Sequence, residues 1–233
     1  MAHSGFRRGP DSLQSEAVED YAKALHALAE RKAGPVTTSA LADRLGVSPG
    51  SVTAMLKRMG EMGLVEHEPY RGAQLTGEGD RVALEVIRHH RLLEAYLSDV
   101  LGMPWDRVHD EAEVLEHYIS EELEERIAAA LGDPAHDPHG DPIPSRDLDL
   151  STQRGTSLAE VASGAAGTFA RVSDSDPEML RYLDERGIRP GARLTVGVRE
   201  RFGGSVMIKV DGAEHSIGSE LARRMVVEPA APG

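Results

Sequence analysis

The chain has 233 residues, with 26 Lys and Arg against 39 Asp and Glu, a formal net charge of −13 and no cysteine. That length suits one large domain or two to three small ones with cores of ordinary size. The missing cysteine excludes a disulfide scaffold, a thiolate metal site and a cysteine nucleophile; no apolar run reaches the roughly eighteen residues of a membrane span, and the opening MAHSGFRRGPDS lacks the apolar stretch of a secretory signal.

A cytoplasmic protein without a membrane partner is therefore expected. Residues 1–12 read as disordered. From Leu13 to about Glu30, Val18, Tyr21, Ala22, Leu25 and Leu28 recur at helical steps, and Gly34-Pro35 ends the pattern. Thr38 or Ser39 can cap a short helix over Ala40–Leu45. Gly46-Val47-Ser48 is a turn. Ser48 can cap a second helix reaching about Met62, with Pro49 at the first helical position, where a missing N–H costs nothing. Val52, Met55, Leu56 and Met59 form its apolar stripe. Leu64–His67 and Ala73–Thr76 read as two strands joined by a turn at Pro69-Tyr70-Arg71-Gly72. A helix-turn-helix followed by a hairpin is a winged helix; plain helical bundles also contain the helix–glycine–helix pattern.

Residues 1–80 carry 9 basic and 11 acidic side chains, whereas residues 81–150 carry 6 and 17, and six of the ten histidines. The middle of the chain thus holds nearly all the excess charge. Thr76 to about Leu101 reads as one helix and His109–Leu131 as another. The apolar stretch Leu92–Leu101 with Trp105 suits either a dimer surface or ordinary core. Residues 133–147, DPAHDPHGDPIPSRD, contain four prolines and end the helical body. From Leu158 the pattern changes to short alternating segments. Glu178–Gly187 is a short helix, Leu194–Val198 a strand, and Val206–Val210 a strand followed by the hairpin signal Asp211-Gly212. This segment reads as a small β-barrel with one helix.

Crowded carboxylates repel one another and destabilise a compact state. Either the acidic middle is a solvated helix surface or divalent cations neutralise it. On a helix, His109, Glu113, Glu116 and His117 fall within an arc of about 100°, bordering the stripe that contains Ile119 and Ile127. His90 and Glu94, four residues apart, share a face of the preceding helix. Such pairs are common on helix surfaces. Two of them in one acidic segment suit a hard or borderline cation: Mn²⁺, Fe²⁺ or Zn²⁺. No H-E-x-x-H, H-x-x-E-H, G-x-S-x-G, P-loop or G-x-G-x-x-G occurs, so no enzyme and no small-molecule substrate is expected. In the winged helix, Lys57, Arg58 and Arg71 can meet phosphates, while Ser48, Pro49, Ser51 and Thr53 lie at the start of the second helix, where base edges are read.

The segments AVEDYAKALHAL (17–28), SPGSVTAMLKRM (48–59), IRHHRLLEAYL (87–97), VHDEAEVLEH (108–117) and DPHGDPIP (137–144) resemble the diphtheria toxin repressor family of metal-dependent transcriptional repressors over about residues 13–228. The resemblance implies a mainly α fold with a small amount of β structure: a winged helix (1–79), a helical dimerisation and metal domain ending in a Pro-rich linker (80–147), and an SH3-like domain (148–233). It implies a primary effector site at Asp20, Glu113, Glu116 and His117. A second site follows at His90, Glu94 and His109, completed by Asp176 or Glu178. Iron-responsive members place Met where Asp20 stands and Cys where Glu113 stands; manganese-responsive members carry acidic residues at both. The resemblance therefore implies Mn²⁺, with Fe²⁺ as the alternative. Some manganese-responsive members have a further carboxylate where Lys23 stands, which points this chain to the two-site, three-domain pattern. A cation bridging Asp20 to the central helix would order the N-terminal helix, and a homodimer would then bind a palindromic operator in double-stranded DNA, controlling metal uptake. The remaining alternative is a carboxylate–histidine metalloprotein that does not bind DNA.

Overall fold

The computed structural model describes residues 12–31, 34–68, 71–151, 155–173, 176–200 and 204–230. The expected disorder of residues 1–12 falls, up to residue 11, outside them, as do Pro69 and Tyr70 of the expected wing turn. The chain divides into two compact units, residues 1–89 with 144–148, and residues 90–143 with 149–233.

In the first unit, α1 (Ser12–Arg31), α2 (Thr38–Leu45) and α3 (Pro49–Glu61) precede a hairpin of β1 (Val65–Glu68) and β2 (Gly72–Leu75). Val18, Ala22 and Leu25 of α1, Leu41 of α2 and Val52, Leu56 and Met59 of α3 meet in one core. The cap of α2 is Thr37, not Thr38 or Ser39: its hydroxyl accepts from the Ala40 N–H at 3.2 Å. The helix therefore starts earlier than Ala40. Gly46 ends α2 with φ 66°, a left-handed conformation that costs glycine little. Ser48 caps α3 by accepting from the Ser51 N–H, and Pro49 occupies the first turn. The helix-turn-helix and its wing are formed as the sequence suggests.

The helix α4 (Gly77–Asp99) runs through the boundary of the two units. In the second unit, the expected single helix His109–Leu131 is two helices, α5 (Val108–Leu115) and α6 (Glu121–Ala130). The break has a local cause. Ser120 adopts an extended conformation and caps α6 through the Leu123 N–H, while Ile119 of the connecting turn enters the core with Leu92, Leu93, Ala112 and Ile127.

The C-terminal part is one antiparallel sheet in the order β3-β8-β4-β5-β6-β7. Its strands are β3 (Thr156–Ser157), β4 (Ala166–Val172), β5 (Arg193–Arg199), β6 (Val206–Val210), β7 (Ala213–Ile217) and β8 (Met225–Pro229). Among the described residues two helices accompany it, α7 (Pro177–Asp184) and the short α8 (Ser219–Arg224), rather than the one expected. Asp211 and Gly212 turn the β6–β7 hairpin, both with positive φ. Phe169, Val172, Leu180, Leu194, Val196 and Ile208 fill its core, and Trp105 joins them at 1 % exposure. Trp105, Leu92, Leu93 and Leu97 are thus interior to the second unit, so the surface alternative is corrected for them: a side chain this deep has no area left for another chain; Val100 and Leu101, at the end of the same stretch, are exposed. Among the described residues no helix is long and apolar enough to cross a membrane.

Candidate metal centre

The second unit gathers imidazoles and carboxylates from three places. His90 and Glu94 stand one turn apart on α4. His109 and Glu113 stand one turn apart on α5. Glu116 closes α5 as its C-cap, still in helical conformation, and His117 follows. The spacing expected to put these groups on one side of a helix is therefore preserved up to the break.

His90 is central. Its Nε2 lies 3.0 Å from Glu94 Oε1 and 3.1 Å from His109 Nδ1, and the latter lies 3.3 Å from the same Glu94 oxygen. The other ring nitrogen, Nδ1, is 2.5 Å from Glu116 Oε2 and 3.8 Å from Glu113 Oε1. Glu113 Oε1 is also 3.8 Å from His109 Nε2, and His117 Nε2 is 3.7 Å from Glu116 Oε1. Glu94 and Glu116 are buried to 1 % and 0 % exposure. The expected trio His90, Glu94 and His109 is brought together. Glu113, which the resemblance groups with Glu116 and His117, also approaches His90 and His109 and with them forms a possible ligand set.

A further cluster consists of Glu94, Asp137 and His139, all buried. Asp137 and His139 lie in the Pro-rich loop. His139 Nε2 donates to the Trp105 carbonyl at 2.8 Å, which fixes the tautomer and turns Nδ1 toward Glu94 Oε2, 3.4 Å away. That Nδ1 is buried without a hydrogen-bond partner. Burial opposes charge on His139, but Glu94 and Asp137 outweigh it and push its pKa up to about 9. Burial, with repulsion from Glu94 and Asp141, holds Asp137 well above the usual carboxylate range. Burial would raise Glu94 too, but the surrounding imidazoles of His90, His109 and His139 hold it well below that range.

These groups fit a divalent cation. Donors held at 2.0–2.5 Å around one ion lie about 3 Å apart when adjacent, and His90, His109 and Glu94 have that spacing. His139 Nδ1 faces Glu94 without a close hydrogen bond and can serve as a further ligand atom once it gives up its proton. All donors are nitrogen or oxygen, which favours Mn²⁺, Fe²⁺ or Zn²⁺ over softer ions. Sequence reasoning missed Asp137 and His139 as candidate ligands. The signal was present: an Asp-x-His spacing inside a histidine-rich, strongly acidic segment.

Asp20 is half-buried on α1 of the first unit. Asp176 is used locally, its carboxylate accepting from the N–H groups of Glu178 and Met179 as the cap of α7. Glu178 is exposed in the first turn of that helix. Neither belongs to a three-residue ligand set among the described residues. At the cap of α3 and along it, Ser48, Pro49, Ser51, Thr53 and Lys57 are exposed and Arg58 is half-buried, while Val52, Leu56 and Met59 are buried. The Thr53 hydroxyl donates to the Pro49 carbonyl at 2.9 Å. Arg71 stands in the wing, 3.1 Å from Glu68 in an exposed pair that costs little to break.

Comparison with known proteins accounts for these parts in order. Residues 14–73 match the N-terminal DNA-binding domain of iron-dependent repressors, residues 76–145 their metal-binding and dimerisation domain, and residues 156–229 the FeoA domain. The iron-dependent repressor IdeR of Mycobacterium tuberculosis is 32 % identical over 226 residues, covering 91 % of this chain and 97 % of that protein. The diphtheria toxin repressor of Corynebacterium diphtheriae is 36 % identical over 168 residues, 72 % of this chain and 70 % of the other. A solved manganese-dependent transcriptional repressor in complex with manganese superposes with a TM-score of 0.84 at 42 % identity, covering 91 % of this chain and 100 % of that one. The manganese regulator SloR gives 0.72 at 30 % identity, covering 91 % and 98 %. The chain belongs to the iron-dependent repressor family.

Proposed function

We propose that the protein is a cytoplasmic, homodimeric transcriptional repressor that binds a palindromic operator when Mn²⁺ occupies its metal centre, and that it controls metal uptake. The observation that carries this reading is the convergence of His90, Glu94, His109, Glu113 and Glu116, nitrogen and oxygen donors only, in a chain that also forms a winged helix. Carboxylates where iron-responsive members have sulfur favour the harder ion, and the 42 % identity to a manganese-dependent repressor points the same way.

The primary effector site consists of Asp20, Glu113, Glu116 and His117, the set the family resemblance implies. The second consists of His90, Glu94 and His109, with Asp137 and His139 joining it through Glu94 and with Asp176 or Glu178 as the acidic residue that the family resemblance adds. A bound cation supplies positive charge to these carboxylates, which otherwise repel one another. Asp20 then holds α1 in an ordered state. A ligand that binds the ordered form better shifts the population toward it. Two recognition helices of a dimer are spaced to read successive major-groove half-sites, which makes the operator an inverted repeat. Val114, Leu115 and Tyr118, at 62 %, 37 % and 64 % exposure on and after α5, lie in the segment that matches the dimerisation domain and provide the apolar face for a second copy.

Selection from a randomised duplex library, run anaerobically with chelator, Mn²⁺ and Fe²⁺ in parallel, tests this reading. A palindrome should be enriched with Mn²⁺ and not with chelator. A stronger response to Fe²⁺ would make the protein an iron-responsive repressor, and no enrichment under any condition would remove DNA binding altogether. On the selected operator, Arg71→Ala should weaken binding and lower the slope of log affinity against log salt by about 1. An unchanged slope would take Arg71 out of the phosphate contacts.

A further inference from the structure

The loop that carries Asp137 and His139 is held by the sheet. Gly140 has φ +90°, and a Cβ there would lie 2.0 Å from the Ala170 carbonyl oxygen of β4, so the loop backbone lies directly on that strand. The Val172 N–H donates to the His139 carbonyl at 3.0 Å. Within the loop, one Asp137 oxygen accepts from the N–H groups of His139 and Asp141, both at 2.9 Å. From the sheet, Arg171 Nη1 donates to Asp141 Oδ1 at 2.8 Å. From α4, Arg91 donates to the Pro142 carbonyl at 2.5 Å and lies 3.9 Å from both Asp137 and Asp141.

The position of Arg171 comes from an irregularity in the strand. The register of β4 against β8 shifts between Phe169 and Arg171, so Ala170 is an extra, unpaired residue. Strict alternation would put Arg171 on the core face with Phe169. The bulge moves Val172 into the core instead, at 0 % exposure, and turns Arg171 outward to Asp141.

We infer that Arg171 is a positioning residue for the second cation site: through Asp141 it fixes the loop that presents Asp137 and His139 to Glu94. The inference rests on the reading of Glu94, Asp137 and His139 as cation ligands. Groups that orient ligands are typically worth about 10–100-fold in metal affinity. One short hydrogen-bonded ion pair, backed by a backbone contact, puts the expected loss nearer about 10-fold.

The test is Mn²⁺ titration of the metal-free full chain, read from the signal of the free ion by electron paramagnetic resonance, together with the melting temperature of the metal-free form. His139→Gln should remove one class of bound Mn²⁺. Arg171→Ala should weaken that class alone by about 10-fold and leave the metal-free melting temperature as in the wild type. Arg171→Lys, which keeps a cation beside Asp141, should recover most of the affinity. Wild-type affinity in Arg171→Ala, with His139→Gln defective, would overturn the inference and leave the site standing. A lowered metal-free melting temperature in Arg171→Ala, with affinity that Arg171→Lys does not restore, would reduce Arg171 to a structural contact and overturn it equally. If His139→Gln binds as the wild type does, the site and the inference fall together.

Discussion

Glu116→Ala is expected to abolish metal-dependent operator binding. Glu116 is fully buried and its carboxylate lies against His90 and beside His117. At a hundredfold excess of Mn²⁺ over the dissociation constant, binding stabilises the ordered form by about 2.7 kcal/mol, which corresponds to about 100-fold in operator affinity. Removing a central carboxylate should forfeit all of that linkage. Fluorescence anisotropy of the selected duplex, with and without Mn²⁺, gives the number. Glu116→Gln separates charge from shape: it keeps the side-chain volume but cannot ligate as an anion. It should fail to respond to Mn²⁺ while retaining the wild-type fold by circular dichroism. Full metal-dependent binding by either variant would exclude Glu116 from the effector site.

The second large effect is on stability. Trp105→Ala should cost about 3–5 kcal/mol, the range for emptying a large aromatic site in a packed core. Trp105 is the only tryptophan and packs among the residues of the sheet core at 1 % exposure. Its ring stacks on that of His139, with centroids 5.7 Å apart and planes at 20°, and the Arg189 guanidinium lies 4.8 Å from it. The midpoint of thermal unfolding, followed by circular dichroism, should fall by roughly 10 °C or more. Trp105→Phe keeps an aromatic in the site and should recover most of the loss, since the Trp105 indole N–H has no hydrogen-bond partner to lose. An unchanged midpoint in Trp105→Ala would contradict the packing described here. Because the Trp105 carbonyl also orients His139, a loosened backbone there should weaken Mn²⁺ binding as well.

Much of the site was legible from local pattern. The His90–Glu94 and His109–Glu113 spacings place each pair on one helix face, because a helix repeats every 3.6 residues whatever surrounds it. The same locality made the winged helix readable: Ser48 and Pro49 cap α3 with atoms a few residues away, and the apolar stripe of α3 needs only its own period. The hard donor set is composition alone. The absence of cysteine excluded thiolate ligation before any geometry was known.

What folding decided are the meetings between distant parts of the chain. His90 reaches Glu116 across 26 residues, and His139 reaches the Trp105 carbonyl across 34. Nothing periodic in the sequence encodes either contact. The Pro-rich loop read as a mere boundary because prolines exclude regular structure, yet its docking on β4 delivers Asp137 and His139 to Glu94. The break between α5 and α6 also escaped a periodic reading, since Ser120 is tolerated within a helix and becomes a cap only where the chain must turn to bury Ile119. Trp105 looked equally suited to a surface or a core because hydrophobicity specifies burial without naming the partner. The sequence by itself determined the winged helix and the kind of donor atom; the tertiary structure alone decided which candidate ligands lie together, because contact between segments depends on packing, and packing has no local period.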